Sequence, residues 1–94
     1  GLPGPVIPRS EGYQLESARL LTLAGEPVLS QNYQGRGGRL SLFALKGSID
    51  PERLRRLARG DFAVHLWQQG GVTLALVGEA TQAELVALAR RMTR

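Results

Sequence analysis

Two kinds of hydrophobic spacing divide the chain. From Tyr13 to Leu45 and from Phe62 to Val77, apolar residues alternate with polar ones or run together, which predicts strands. From Thr81 to Met92 they recur every three or four residues, which predicts a helix. The first block breaks at its turn residues. "YQLESARLLTL" carries Leu15, Leu20 and Leu23 among polar neighbours and ends at "AGEP". "PVLSQNYQ" sets Val28, Ser30 and Asn32 against Leu29, Gln31 and Tyr33. "GRGG" supplies the positive φ that tight hairpins need. "RLSLFAL" then sets Leu40, Leu42 and Ala44 against Ser41, Phe43 and Leu45. Residues 15–45 therefore read as a three-stranded antiparallel meander.

"SIDPERLRRLARG" predicts a short helix. Asp50 is placed to cap it, and Pro51 sits at the first helical position, where no N–H is needed. Ile49 can staple onto Leu54. Leu54, Leu57 and Ala58 then face inward, while Glu52, Arg55, Arg56 and Arg59 face out, and Gly60 ends the helix. "DFAVHLWQQGGVTLALVG" predicts a hairpin turning at Gln68 to Gly71. Its returning strand, Val72 to Val77, is almost wholly apolar, as expected of a central strand covered on both faces.

A glycine and a helix follow that strand directly, the order found in phosphate-binding loops. The residues argue against such a loop here. Thr81 and Glu84 form a capping box that occupies the helix N-terminus, and Ala80 and Leu85 flank it. Gly78 is the lone glycine and no lysine follows, so nothing cradles a phosphate. Leu85, Leu88, Ala89 and Met92 share one face of this helix. The predicted fold class is α+β, a small antiparallel sheet in the order β-β-β-α-β-β-α with two helices packed on one face. Residues 1–12 hold three prolines and three glycines and read as a linker or extended arm. Residues 13–94 read as a single domain.

Composition narrows the function classes. A chain of 94 residues buries roughly 60–65% of its unfolded surface, enough for a thin core. With no cysteine there is no disulfide, thiolate nucleophile or cysteine-bound metal. No apolar run is long enough to span a bilayer as a helix. The net charge is +4, but eleven of the twelve basic residues are arginine and they are scattered, which resembles a genomic composition bias more than a binding face.

Candidate chemistry is sparse. His65 is the one histidine, and a lone histidine builds neither a metal site nor a triad. Asp50, Glu52 and Glu84 belong to helix starts, and Asp61 and Glu79 to strand boundaries, so no pair is set up for acid–base work. Ser10, Ser17, Ser30, Ser41 and Ser48 lack the context of a nucleophile. Tyr33, Phe43 and Trp67 could stack bases, but core packing explains them more simply. The expectation is a non-enzymatic chain without metal or cofactor, and no nucleic-acid partner.

The segments from Gly12 to Leu45 and from Trp67 to Met92 resemble the C-terminal domain of the MucB/RseB family, periplasmic regulators of anti-sigma factors. The pieces that carry the likeness are Gly12-Tyr13, Tyr33, Ser41-Leu42-Phe43, Val72 to Glu79 and Leu88-Ala89. The extracytoplasmic part of transmembrane anti-sigma factors is similar in the same places. The short helix from Asp50 to Gly60 departs from the extended segment usual in the family. The resemblance implies an extracytoplasmic regulatory domain of an envelope-stress system. It would bind an anti-sigma factor or another regulator, and would be exported or tethered to a membrane only through segments outside this sequence. Gly1-Leu2, with no initiator Met, fits a piece of such a protein. The expected contact residues are Gln31, Tyr33, Arg36 and Arg39, on a supposed strand edge, with Arg55, Arg56 and Arg59 on the short helix. The alternative is a basic module that binds anionic lipid or nucleic acid.

Overall fold

The computed structural model of the chain describes residues 7, 9–23, 25–35, 37–47, 50, 52–53, 56 and 62–92. A 3-10 turn, Arg9–Glu11, precedes five strands: β1 (Tyr13–Leu23), β2 (Glu26–Gly35), β3 (Gly38–Lys46), β4 (Ala63–Gln69) and β5 (Val72–Gly78). Helix α1 (Gln82–Met92) closes the described chain. The strands form one antiparallel sheet in the order β1-β2-β3-β5-β4. Strands β1 to β3 are the expected meander. Strand β5 slots between β3 and β4, so the almost wholly apolar strand is interior to the sheet, as its sequence requires.

The turns follow from their residues. Gln69 pairs with Val72 and leaves Gly70-Gly71 as a two-residue loop with φ of +59° and +80°. Both central positions of a type I′ hairpin need positive φ, which glycine adopts without a Cβ clash. At the start of α1 the Thr81 hydroxyl accepts the Glu84 N–H at 3.1 Å, and the Thr81 carbonyl accepts the Leu85 N–H. The Thr81 half of the expected capping box is thus formed.

Alternation splits the apolar residues of β3 and β5 between two faces. Leu40, Leu42 and Leu76 lie on one face with Tyr33, and α1 presses Leu85, Leu88 and Ala89 onto them. Ile7 completes that cluster and is only 2% exposed. Val28, Phe43, Leu45, Val64, Ala75 and Val77 form a second buried cluster on the other face, with Leu21, Leu23, Phe62 and Leu66 packed against it.

This arrangement corrects the expectation of two helices packed on one face. Among the described residues one helix, α1, packs on the sheet. The physical reason is that the face under α1 is filled by that helix and Ile7, whereas the strands bury a second apolar cluster on the other side. Of the short helix predicted over residues 50–60, the start is visible. The Asp50 carboxylate accepts the Glu52 N–H at 3.0 Å, and Glu52, Arg53 and Arg56 have helical backbone with exposed side chains. Pro51, Leu54, Arg55 and residues 57–61 lie outside the described residues.

Glu79 clamps the end of β5 to the start of β3. Its carboxylate accepts the Arg39 N–H at 2.9 Å and faces the Arg39 guanidinium at 3.4 Å, while the Glu79 N–H donates to the Arg39 carbonyl. The backbone N–H of Arg39 is the main reason that the Glu79 carboxyl sits below its ordinary pKa. A depressed carboxylate contributes stability above its unfolded pKa and loses it as pH falls through the folded one. Glu79→Gln should therefore be less stable than the parent at pH 7, and the gap should close in acid. Urea midpoints measured from pH 7 down to pH 2 check this; a gap independent of pH would remove the charge from the account.

Candidate functional site

A sheet exposes backbone hydrogen-bonding groups only at its two edges, which here are β1 and β4. The edges differ. β4 is seven residues long, α1 packs beside it, and the Gln82 amide donates to the Val64 carbonyl at 2.8 Å. His65 stacks on Trp67 along this strand, with ring centroids 5.6 Å apart, and Trp67 packs into the core under α1. β4 is thereby blunted.

β1 is open. It runs for eleven residues, and Gln14 through Leu20 are all exposed. Among the described residues its backbone pairs with β2 alone. Leu15 and Leu20, 47% and 72% exposed, are the exposed large hydrophobic side chains among the described residues, and both belong to this strand. Register places Leu15 opposite Tyr33, Ala18 opposite Gln31 and Leu20 opposite Leu29, so all three point to the face that carries α1. A bulge at Glu16 makes this possible: without the extra residue, positions 15 and 20 would fall on opposite faces. Arg19 lies on the other face, opposite Ser30, and makes no ion pair among the described residues.

That other face carries a cavity of about 420 Å³. Its floor includes Ser30, Asn32 and Ser41, and Phe43 and Phe62 give it apolar walls. Ser41 donates to the Asn32 side-chain oxygen Oδ1 at 2.8 Å, and the Asn32 side-chain amide donates to the Ser17 hydroxyl at 3.1 Å. Arg19, Arg39 and Glu16 line its mouth, and the Arg39 guanidinium lies 6.0 Å from the centre of the Phe62 ring.

The residues expected to meet a partner are scattered by the fold. β2 lies between β1 and β3, so the stretch from Gln31 onward is interior to the sheet and not an edge. Gln31 and Tyr33 are buried. The Tyr33 hydroxyl donates to the Gln31 side-chain oxygen at 2.5 Å and accepts the Ile7 N–H at 3.2 Å, and burial raises the Tyr33 pKa. These two side chains tie Ile7 to the core. Arg39 is exposed but tied to Glu79, and Arg56 is exposed. Arg36, Arg55 and Arg59 lie outside the described residues. A stacking platform is not formed either: Tyr33 and Phe43 are buried in separate clusters on opposite faces. No group of three or more His, Asp or Glu residues that could hold a metal is present among the described residues.

The β1 edge escaped sequence reasoning although a signal for it exists. In a three-stranded meander the middle strand has no free edge, so the outer strands are where to look. The five-residue spacing of Leu15 and Leu20 breaks strand alternation and marks the bulge.

Fold and site together define an α+β domain with one blunted and one open sheet edge. No protein-family model matches the chain, and no curated protein or solved structure matches it either.

Proposed function

We propose that this chain is a non-enzymatic interaction domain that takes a protein segment as an added strand at β1. We place it as the extracytoplasmic regulatory module of a sigma/anti-sigma envelope-stress system, its partner being an anti-sigma factor or a companion regulator. The observation that carries the binding mode is the open β1 edge with Leu15 and Leu20 exposed on one face. Main-chain hydrogen bonds along such an edge supply affinity, and the alternate side chains supply selectivity. The regulatory role is supported by the likeness of residues 12–45 and 67–92 to MucB/RseB-type domains.

The test is titration calorimetry of the chain against the extracytoplasmic segment of an anti-sigma factor from the same genome. Leu20→Lys adds a charge at a solvent-exposed position, so the fold should persist. Binding should weaken by about tenfold or more, roughly 1.4 kcal/mol. Full-strength binding by this variant would move the contact away from β1. Export is a separate element of the reading, and a signal peptide or one membrane helix encoded upstream is expected. Finding neither would sink the extracytoplasmic assignment.

A second reading has its own observation. Arg19, which makes no ion pair among the described residues, lines the mouth of the polar-floored cavity and suits an anionic headgroup. Such binding should fall steeply with salt, and anionic vesicles that fail to bind at low salt would end it.

A further inference from the structure

The β1 edge is complementary to itself. A two-fold axis perpendicular to the sheet, passing beside Ala18, would bring a second β1 alongside antiparallel and keep each face on its own side. The bulge then sets the register. Leu15 falls opposite Leu20 of the second copy, and Ala18 falls opposite Ala18. The bulged pair Glu16 and Ser17 falls opposite Arg19 of the second copy, and the symmetry repeats each contact. Every pairing matches faces, because the bulge puts Leu15, Ala18 and Leu20 on one side and Ser17 and Arg19 on the other. Glu16 lines the same cavity as Arg19, which places it on the Arg19 side.

We infer that the occupant of the β1 edge is a second copy of this chain, forming a two-fold dimer with one continuous sheet. Three features of the monomer find a use in that pairing. The two exposed leucines cover each other. Glu16 and Arg19, which have no ion pair among the described residues, meet opposite charges. The small Ala18 allows close approach at the axis. A bulge and charges on an edge ordinarily discourage pairing with arbitrary strands. In this register they select one partner, which is the isologous arrangement that closed dimers require. The inference rests on β1 being the binding edge, and it adds that self-pairing and partner binding compete for that edge.

Sedimentation equilibrium on the full chain tests it. The expected result is a dimer at twice the monomer's 10.2 kDa. Glu16→Arg and Arg19→Glu each turn both cross-strand charge pairs repulsive, and each should weaken the dimer by roughly tenfold. The double exchange, Glu16→Arg with Arg19→Glu, should restore it. Circular dichroism establishes that the variants remain folded, since both positions are exposed. A parent chain that stays at monomer mass at millimolar concentration overturns the inference, as does a double exchange that fails to rescue. Either failure, with Leu20→Lys still impairing the anti-sigma segment, leaves the edge-binding reading standing. Failure of the Leu20→Lys test while the dimer persists does the reverse.

Discussion

Leu76→Ala should cost about 3–5 kcal/mol of stability, the largest effect expected of any single truncation here. Leu76 is 0% exposed in the central strand, between Leu42 on β3 and His65 on β4. It belongs to the cluster that receives Leu85 and Leu88 from α1. Removing its branched end leaves a void walled by β-sheet backbone on one side and a helix on the other. Neither can move in without breaking sheet pairing or lifting α1, so little of the void can collapse. Domains of this size are stable by only about 5–15 kcal/mol, so the variant should lose about a fifth or more of the total. Urea unfolding followed by tryptophan fluorescence measures it, because Trp67 packs against the same cluster. A loss below about 1 kcal/mol would mean that the cluster repacks freely and is not the close-packed core described.

Ile7→Ala should cost about 2–4 kcal/mol, although the residue lies in a stretch whose composition is that of a linker. Ile7 is among the largest fully buried side chains. Its N–H reaches the Tyr33 hydroxyl, which donates in turn to Gln31. Tyr33→Phe would leave the buried Gln31 oxygen and the Ile7 N–H without that partner, at about 1–3 kcal/mol. The two substitutions touch one connected unit, so their costs should not add. Once the Ile7 side chain no longer anchors that residue in the cluster, the Tyr33 hydroxyl has less left to lose. A double-mutant cycle from denaturant curves tests this. Strict additivity would show that Ile7 and Tyr33 act independently. The Arg91–Glu11 ion pair, at 2.7 Å, ties the 3-10 turn to α1 and supports the same attachment from the surface.

Much of the local structure was legible because its causes are local. The strands from 13 to 46, the Gly70-Gly71 hairpin and the Thr81 cap each follow from residues within a few positions of one another. The face of α1 was likewise fixed by the spacing of Leu85, Leu88 and Ala89. The candidate contact residues fared differently. Gln31 and Tyr33 look like polar and aromatic surface residues one at a time, and only pairing on both sides of β2 buries them. Arg39 looks like a free cation until Glu79, forty residues on, is brought beside it.

The sequence alone thus determined the period of each element, where the chain turns, and that β5 must be covered on both faces, since backbone sterics and hydrophobic alternation act within a few residues. Only the tertiary structure decided which strand is an edge, which face receives α1, that Ile7 enters the core, and that a bulge turns Leu15 and Leu20 to the same side. Those outcomes depend on hydrogen-bond register and on contacts between residues far apart in the chain; the local pattern gives at most a cue, as the spacing of Leu15 and Leu20 does for the bulge.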